Sequence, residues 1–386
     1  MMRGITIYLV LACAVPVVAQ TNVQGDSRQR LIKLNVAATS AKGDPVTDLS
    51  AADVQLREDG KPQAIAFFRF AGRQASTVLH AQGEFVNHPV TAPLVILLDR
   101  WNERMTTTAQ AWIELGTAVQ RLESVQSVYI YVLTSNGDLS AVRPLPVTEA
   151  DLSATSPLSP VELRAQLDEA VRKIQGFKAR DDLRMRVLMT FQALDTLRLQ
   201  MSSITGRKNL IWITQGIPLV IPPRIDLTPQ VRSLSEMAAR AQIAIYTVDQ
   251  SSGSGASLSN EVLALRMFSA LTGGRWYPSD NAERSIADAR TDARGSYRIA
   301  YYSTVAEKDN KEHKIRVDAT RKGIHLLTRD QFVSEVAESD ADQLEAEFGS
   351  GRARLSMPPK SACGRRCLAS RQLPRSISKS ASIRRI

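Results

Sequence analysis

Pro93-Leu94-Val95-Ile96-Leu97-Leu98-Asp99 is a continuous apolar run that ends on a carboxylate and is followed by a segment of helical periodicity. A strand with one solvated face alternates apolar and polar residues; a run without alternation is covered on both faces, as a central strand of a parallel α/β sheet is. Asp99 then stands at the carboxyl end of that strand, and open α/β sheets bind their ligands in the crevice outside such ends. The same pattern recurs in Asn209 to Thr214, closing at Gln215-Gly216, and in Ala241 to Val248, closing at Asp249. Val125 to Leu133 reads as a further strand, with Asn136-Gly137 as a hairpin turn and Leu139 to Val142 as the return.

Helical patterns fill the intervals. Glu103 to Glu123 carries Ala109, Trp112, Ile113, Leu115, Val119 and Leu122 at helical spacing, and Val161 to Ile174 and Asp182 to Ile204 follow. Thr228 to Arg240 starts with Thr228 as its cap and Pro229 in the first turn. Asn260 to Leu271 is closed by Gly273-Gly274. Strands alternating with helices in this way imply right-handed βαβ units and one open sheet, an α/β fold.

The period changes to two on either side. Ile32, Leu34 and Val36 alternate with Lys33 and Asn35; Val54 and Leu56 alternate with Gln55 and Arg57; Asp59-Gly60 is a turn dipeptide. Beyond Gly295, Tyr297, Ile299 and Tyr301 share one face, and Ile315 and Val317 alternate with Lys314 and Arg316. The chain therefore divides into an N-terminal β unit over 29–71, a linker over 72–92 without periodicity, an α/β domain over 93–294, and a C-terminal β segment over 295–334. A basic tail over 335–386 completes it, and its Ser, Arg, Pro and Lys content points to disorder. The flanking antiparallel β segments are placed to pack together.

Met1-Met2-Arg3, an apolar block from Ile5 to Val18, and Val17 and Ala19 at the −3 and −1 positions form a secretory signal peptide over 1–19. A retained membrane anchor is the competing reading, against which the block falls short of the ~20 residues needed to cross a bilayer. Val10-Leu11-Ala12-Cys13 also loosely matches a lipoprotein cleavage box. No later segment is apolar enough to span, so the mature chain is expected to be exported without a transmembrane span: periplasmic, bound to the envelope or secreted. Cys363 and Cys367, in Cys-Gly-Arg-Arg-Cys, lack neighbouring histidines for a zinc site; a small disulfide loop and two unpaired thiols both remain open. The net charge of +10 falls entirely within 348–386, which holds ten Lys and Arg and no acid. The body is neutral and the tail has no interleaved aromatics, which excludes nucleic acid as a partner.

Several stretches, in this order, resemble a family: bacterial exported proteins of acidobacterial type carrying a domain related to von Willebrand factor type A. They are Leu56-Arg57-Glu58-Asp59-Gly60-Lys61-Pro62-Gln63 with Phe67; Leu97-Leu98-Asp99 with Asn102; Gly206 to Ile213; Ala244 to Asp249; Thr272-Gly273-Gly274-Arg275; and Tyr297 to Tyr302. The resemblance covers Leu31 to Phe332 and implies a Rossmann-like open sheet of the von Willebrand factor A type. In that family the top of the sheet carries a metal-ion-dependent adhesion site, an Asp-x-Ser-x-Ser motif with a distant Thr and a second Asp around Mg²⁺. Asp99 matches the first Asp. Trp101 and Glu103 occupy the serine positions and Gln215 stands where the second Asp would be, so the site is degenerate. The binding candidates are Asp99, Asn102, Glu103 and Gln215, with Asp99 as the one recognisable metal position. The competing reading has Asp99 and Asn102 capping the following helix and satisfying loop amides.

No Gly-x-Ser-x-Gly elbow, Walker loop or His-Glu-x-x-His occurs, and Gly253 and Gly255 are followed by Leu258 where a dinucleotide fingerprint needs a third glycine. The histidines read as surface or strand-face residues. The expectation is a non-enzymatic binding or scaffold module with a protein partner and no cofactor. The alternatives are an exported hydrolase or other enzyme with an unrecognised site, and a structural envelope component.

Overall fold

The computed structural model describes residues 30–72, 74–79, 85–90, 92–102, 108–122, 127–146, 159–174, 183–251, 259–278, 281–304 and 311–333. The leader, the basic tail with Cys363 and Cys367, and Glu103 lie outside the described residues. The N-terminal segment forms β1 (Arg30–Ser40), β2 (Val54–Glu58), β3 (Lys61–Gln63) and β4 (Ile65–Phe70), followed by β5 (Gln74–Leu79) and β6 (Phe85–Val90). The central region forms β7 (Leu94–Asp99), α1 (Thr108–Gln120), β8 (Val128–Leu133), β9 (Leu139–Arg143), α2 (Pro160–Ile174), α3 (Leu183–Ser202), β10 (Lys208–Thr214), β11 (Val220–Ile221) and β12 (Ile225–Asp226). It continues with α4 (Thr228–Arg240), β13 (Ile243–Asp249), α5 (Asn260–Thr272), β14 (Trp276–Tyr277) and α6 (Ala282–Arg294). The C-terminal segment adds β15 (Ser296–Ser303), β16 (Glu312–Ala319), β17 (Ile324–Leu327) and β18 (Gln331–Val333).

The central sheet runs β14-β13-β10-β7-β8-β9, parallel except for the edge strand β9. Every residue of β7 is buried, because helices cover both faces. Val95 and Leu97 point into the cluster formed with α3, α4 and α5. Leu94, Ile96 and Leu98 point into the cluster formed with α1, α2 and α6. At about 1.5–3 kcal/mol for each large aliphatic side chain removed from water, burying all five fixes this strand at the sheet centre. The unalternated run thus finds the environment its composition demands.

The chain's two flanks build one further layer pair. β17-β1-β15-β4 and β18-β16-β2-β3 are four-stranded antiparallel sheets enclosing a core of Ile32, Leu34, Val36, Leu56, Tyr297, Ile299, Ile315 and Phe332. β1 pairs with β15 from Arg30↔Ser303 to Ala37↔Ser296, and β2 pairs with β16 from Ile315↔Glu58 to Ala319↔Val54. The α/β region is therefore an insertion between halves of a β-sandwich.

Two local expectations change. Inside 72–92, read as a linker, β5 and β6 form an antiparallel ladder from Gln74↔Val90 to Leu79↔Phe85. Leu227, not Thr228, is the N-cap of α4; Thr228 is its first residue, and its amide donates to Asp226 Oδ1 at 2.9 Å. The helix expected over Glu103 to Glu123 is described from Thr108 to Gln120, and 103–107 and 123 lie outside the described residues.

Candidate functional site at the sheet switch point

The chain leaves β7 towards β8 on one side and reaches β10 on the other, so the carboxyl ends of β7 and β10 flank the point where strand order reverses. That is where open α/β sheets bind ligands. Asp99 ends β7, and Thr214-Gln215 ends β10. The Asp99 side chain is only 1% exposed. Its Oδ2 accepts from Thr214 Oγ1 at 2.7 Å, Asn102 Nδ2 at 2.7 Å and Trp212 Nε1 at 3.1 Å, and its Oδ1 accepts from the Asn102 amide at 3.1 Å. Burial pushes the Asp99 carboxyl above the usual carboxylate range, against the bonds from Asn102, Thr214 and Trp212, which act in the opposite direction.

Asn102 is held as firmly. Its Nδ2 also donates to Thr190 Oγ1 of α3 at 2.7 Å, and that hydroxyl donates onward to the Arg186 carbonyl at 2.7 Å. Trp101 is buried and sends its indole N–H to the same carbonyl at 3.1 Å. The turn after β7 is thereby tied to α3. Gln215 is buried at the end of β10, where the Thr214 hydroxyl accepts from the Gly216 amide at 2.9 Å. The structure brings Asp99 and Asn102 into one network with Thr214. Trp212 and Thr190, which the sequence reading did not select, are its other members; Trp212 looks from sequence like one more core aromatic.

A hard octahedral cation needs several oxygens converging at about 2.0–2.1 Å. Here the Asp99 oxygens face internal donors, the Asn102 side chain is turned towards Asp99 and Thr190, and Trp101 supplies no oxygen. These residues as placed do not fit Mg²⁺.

The motif residues at the opposite sheet end form a second buried polar group. Arg207 Nε donates to Asn209 Oδ1 at 3.1 Å, and Nη2 donates to Tyr246 Oη at 2.9 Å and to the Gly273 carbonyl at 3.1 Å. Tyr246 donates to Asp292 Oδ2 at 2.7 Å, and Arg275 closes on Asp292 at 3.0 and 3.2 Å. Asn209 Nδ2 reaches the Ala289 carbonyl at 2.7 Å. Burial pushes the Tyr246 phenol far up, so it stays a neutral relay between the Arg207 and Asp292 charges. This network joins β10, β13 and α6 and lies away from the ligand edge.

No protein-family model matches the chain, and no curated relative does. Solved structures similar to it include the human COPII-coat protein Sec24c, at 9% identity and TM-score 0.32 over 64% of this chain and 44% of that one. The chain thus spans under half the length of Sec24c. BatB from Bacteroides thetaiotaomicron aligns at 14% identity and TM-score 0.34 over 52% of this chain and 98% of that one. The mussel byssus proximal thread matrix protein 1, whose adhesion-site motif is zinc-occupied, aligns at 11% identity and TM-score 0.34 over 55% and 47%. At these scores the likeness carries no argument, and the architecture rests on the strand order and register given above.

Proposed function

We propose that the chain is an exported, non-enzymatic binding or scaffold protein whose von Willebrand factor A-like body meets a protein partner at the strand-end face without a bridging metal. One observation carries this reading. The carboxylate that would grip a cation in an adhesion-type site is 1% exposed and spends its acceptor capacity on Asn102, Trp212 and Thr214. It organises the rim instead of reaching beyond it. That rim includes the β11–β12 hairpin, which leaves β10 and exposes Val220, Pro222, Pro223 and Arg224, and the exposed Asn136 and Asp138 of the β8–β9 turn. The histidines of the described strands fall in β6, β16 and β17, not at the ends of β7 and β10, which supports binding over acid–base catalysis. Export, to the periplasm, envelope or medium, is supported by the leader residues Met1 to Ala19.

The test is capture from the native envelope fraction with the mature chain as bait. A specific partner should be retained in EDTA and lost on Val220→Glu, a change at an exposed position that leaves the core intact. Retention that EDTA abolishes would restore the adhesion-type mechanism. N-terminal sequencing of the exported chain is expected to begin at Gln20; a chain beginning at Met1 would remove the export assignment.

A further inference from the structure

The Asp59-Gly60 turn between β2 and β3 has positive φ at both residues, 48° and 80°, the type I′ geometry of a two-residue hairpin. It directs the Asp59 carboxylate across to β16. Asp59 Oδ1 accepts from the Lys314 amide at 2.8 Å, and Oδ2 lies 2.8 Å from His313 Nδ1. Glu58, the last residue of β2, points into the sandwich and is 2% exposed. Its Oε1 accepts from Ser303 Oγ at 2.6 Å, Oε2 is buried with no hydrogen bond of ordinary length among the described residues, and the Tyr301 phenol interacts with the same carboxylate. Glu58, Asp59 and His313 each offer a ligand atom, and these atoms lie within 4.8 Å of one another.

We propose that Glu58, Asp59 and His313 form a binding site for a divalent transition metal of the Zn²⁺ type at the end of the β-sandwich. An imidazole nitrogen with two carboxylate oxygens is a donor set that suits Zn²⁺ better than Mg²⁺ or Ca²⁺, which prefer oxygen alone. The scale is right: ligands about 2.0–2.2 Å from Zn²⁺ at tetrahedral angles stand about 3.4 Å apart. The Asp59–His313 contact opens by about half an ångström when the metal takes the place of the proton between them. The metal would give the buried Glu58 carboxylate, which the Ser303 and Tyr301 hydroxyls meet, a charged partner, and a buried carboxylate is costly without one. Ser303 fixes the Glu58 carboxylate through its other oxygen, and the Phe332 ring lies 5.2 Å from the His313 ring and limits its rotation. Half-exposed Asp59 marks the side open to solvent. The metal would staple the two ends of the fold, because Asp59 and His313 are 254 residues apart in sequence.

The competing arrangement is a plain Asp59–His313 pair, with the Glu58 carboxylate engaged by the buried Tyr301 hydroxyl, a phenol pushed up by burial and by that same carboxylate. Calorimetric Zn²⁺ titration of the EDTA-treated mature protein, with Cys363 and Cys367 changed to Ser, separates the two. Expected are one equivalent bound, proton release seen as a buffer-dependent enthalpy, a melting temperature raised by a few degrees at saturation, and a loss of at least tenfold in affinity in both Asp59→Asn and His313→Ala. Asparagine tolerates the positive φ of residue 59 and that position is exposed, so Asp59→Asn tests binding without unfolding. Binding absent at millimolar Zn²⁺, or weakened less than tenfold in Asp59→Asn, overturns the site.

Discussion

Asp99 illustrates how one residue type at one position supports two chemistries. At a strand end it is a metal ligand when its oxygens face outward and a structural acceptor when the neighbouring turn supplies donors. Trp212, Thr214 and Asn102 decide the matter here. Asp99→Asn keeps the size but places an amide N–H₂ against at least one of these donors, so a cost of about 2–4 kcal/mol is expected in urea unfolding, with no recovery on adding Mg²⁺. The pH dependence has a definite sign. Because the folded-state pKa of Asp99 is raised, its contribution is complete below the unfolded value of about 3.9 and is lost as pH rises through the folded value. The stability gap between wild type and Asp99→Asn should therefore be wider near pH 4 than at pH 7. A gap that narrows towards acid would mean that the hydrogen bonds to the carboxylate outweigh its burial. The position of Asp99 was legible in the sequence from the apolar run before it. Its partners were not, since Trp212 and Thr190 carry no signal beyond apolar or polar identity.

At the level of elements, periodicity reads correctly wherever burial is one-sided or complete, and fails where neither holds. The β5–β6 ladder escaped notice because Gln74 to Leu79 does not alternate and Pro89 interrupts the partner strand, a residue that argues against a strand. The Glu58, Asp59 and His313 cluster was equally hidden, since only the β2–β16 register brings residues so far apart into contact. The Thr272-Gly273-Gly274-Arg275 stretch is a case where the structure supplies the reason for a motif. Gly273 ends α5 in the left-handed region at φ 75°. Gly274 serves close approach, as an added Cβ would lie 1.9 Å from the Ile245 carbonyl oxygen of β13. Gly274→Ala should therefore force α5 and β13 apart and cost more than about 3 kcal/mol. Gly60→Ala, at φ 80° with open space around it, should cost only the backbone strain of about 1–2 kcal/mol. Thermal melts of the two variants rank them, and equal losses would refute the close-approach account.

On the scale of the whole molecule, an α/β body inserted into a β-sandwich needs something to make the two layers one cooperative unit. Arg329, between β17 and β18, and Glu236 of α4 form a buried pair across that junction at 2.8 Å, with side chains 7% and 5% exposed. Their surroundings are unequal. Glu236 also accepts from Arg240 at 3.0 Å, whereas Arg329 has, beyond Glu236, no second carboxylate among the described residues, but a 3.4 Å approach to the Lys33 carbonyl, the face of Phe332 at 5.8 Å and the neighbouring Tyr301 phenol. Removing one member of a buried pair leaves the other charge uncompensated and costs about 3–5 kcal/mol; replacing both by apolar residues of similar volume is often close to neutral. The inequality orders the outcomes. Glu236→Met should be the more damaging change, because it strands Arg329 in the junction. Arg329→Met should cost less, because Arg240 still neutralises Glu236, and the double variant should lie nearer to Arg329→Met than to Glu236→Met. Calorimetric melting of the three variants checks this, and Glu236→Met should also split the transition as the sandwich and the α/β body lose their coupling. If the two single variants melt alike in one transition, the junction is held by apolar packing and the pair is incidental to it.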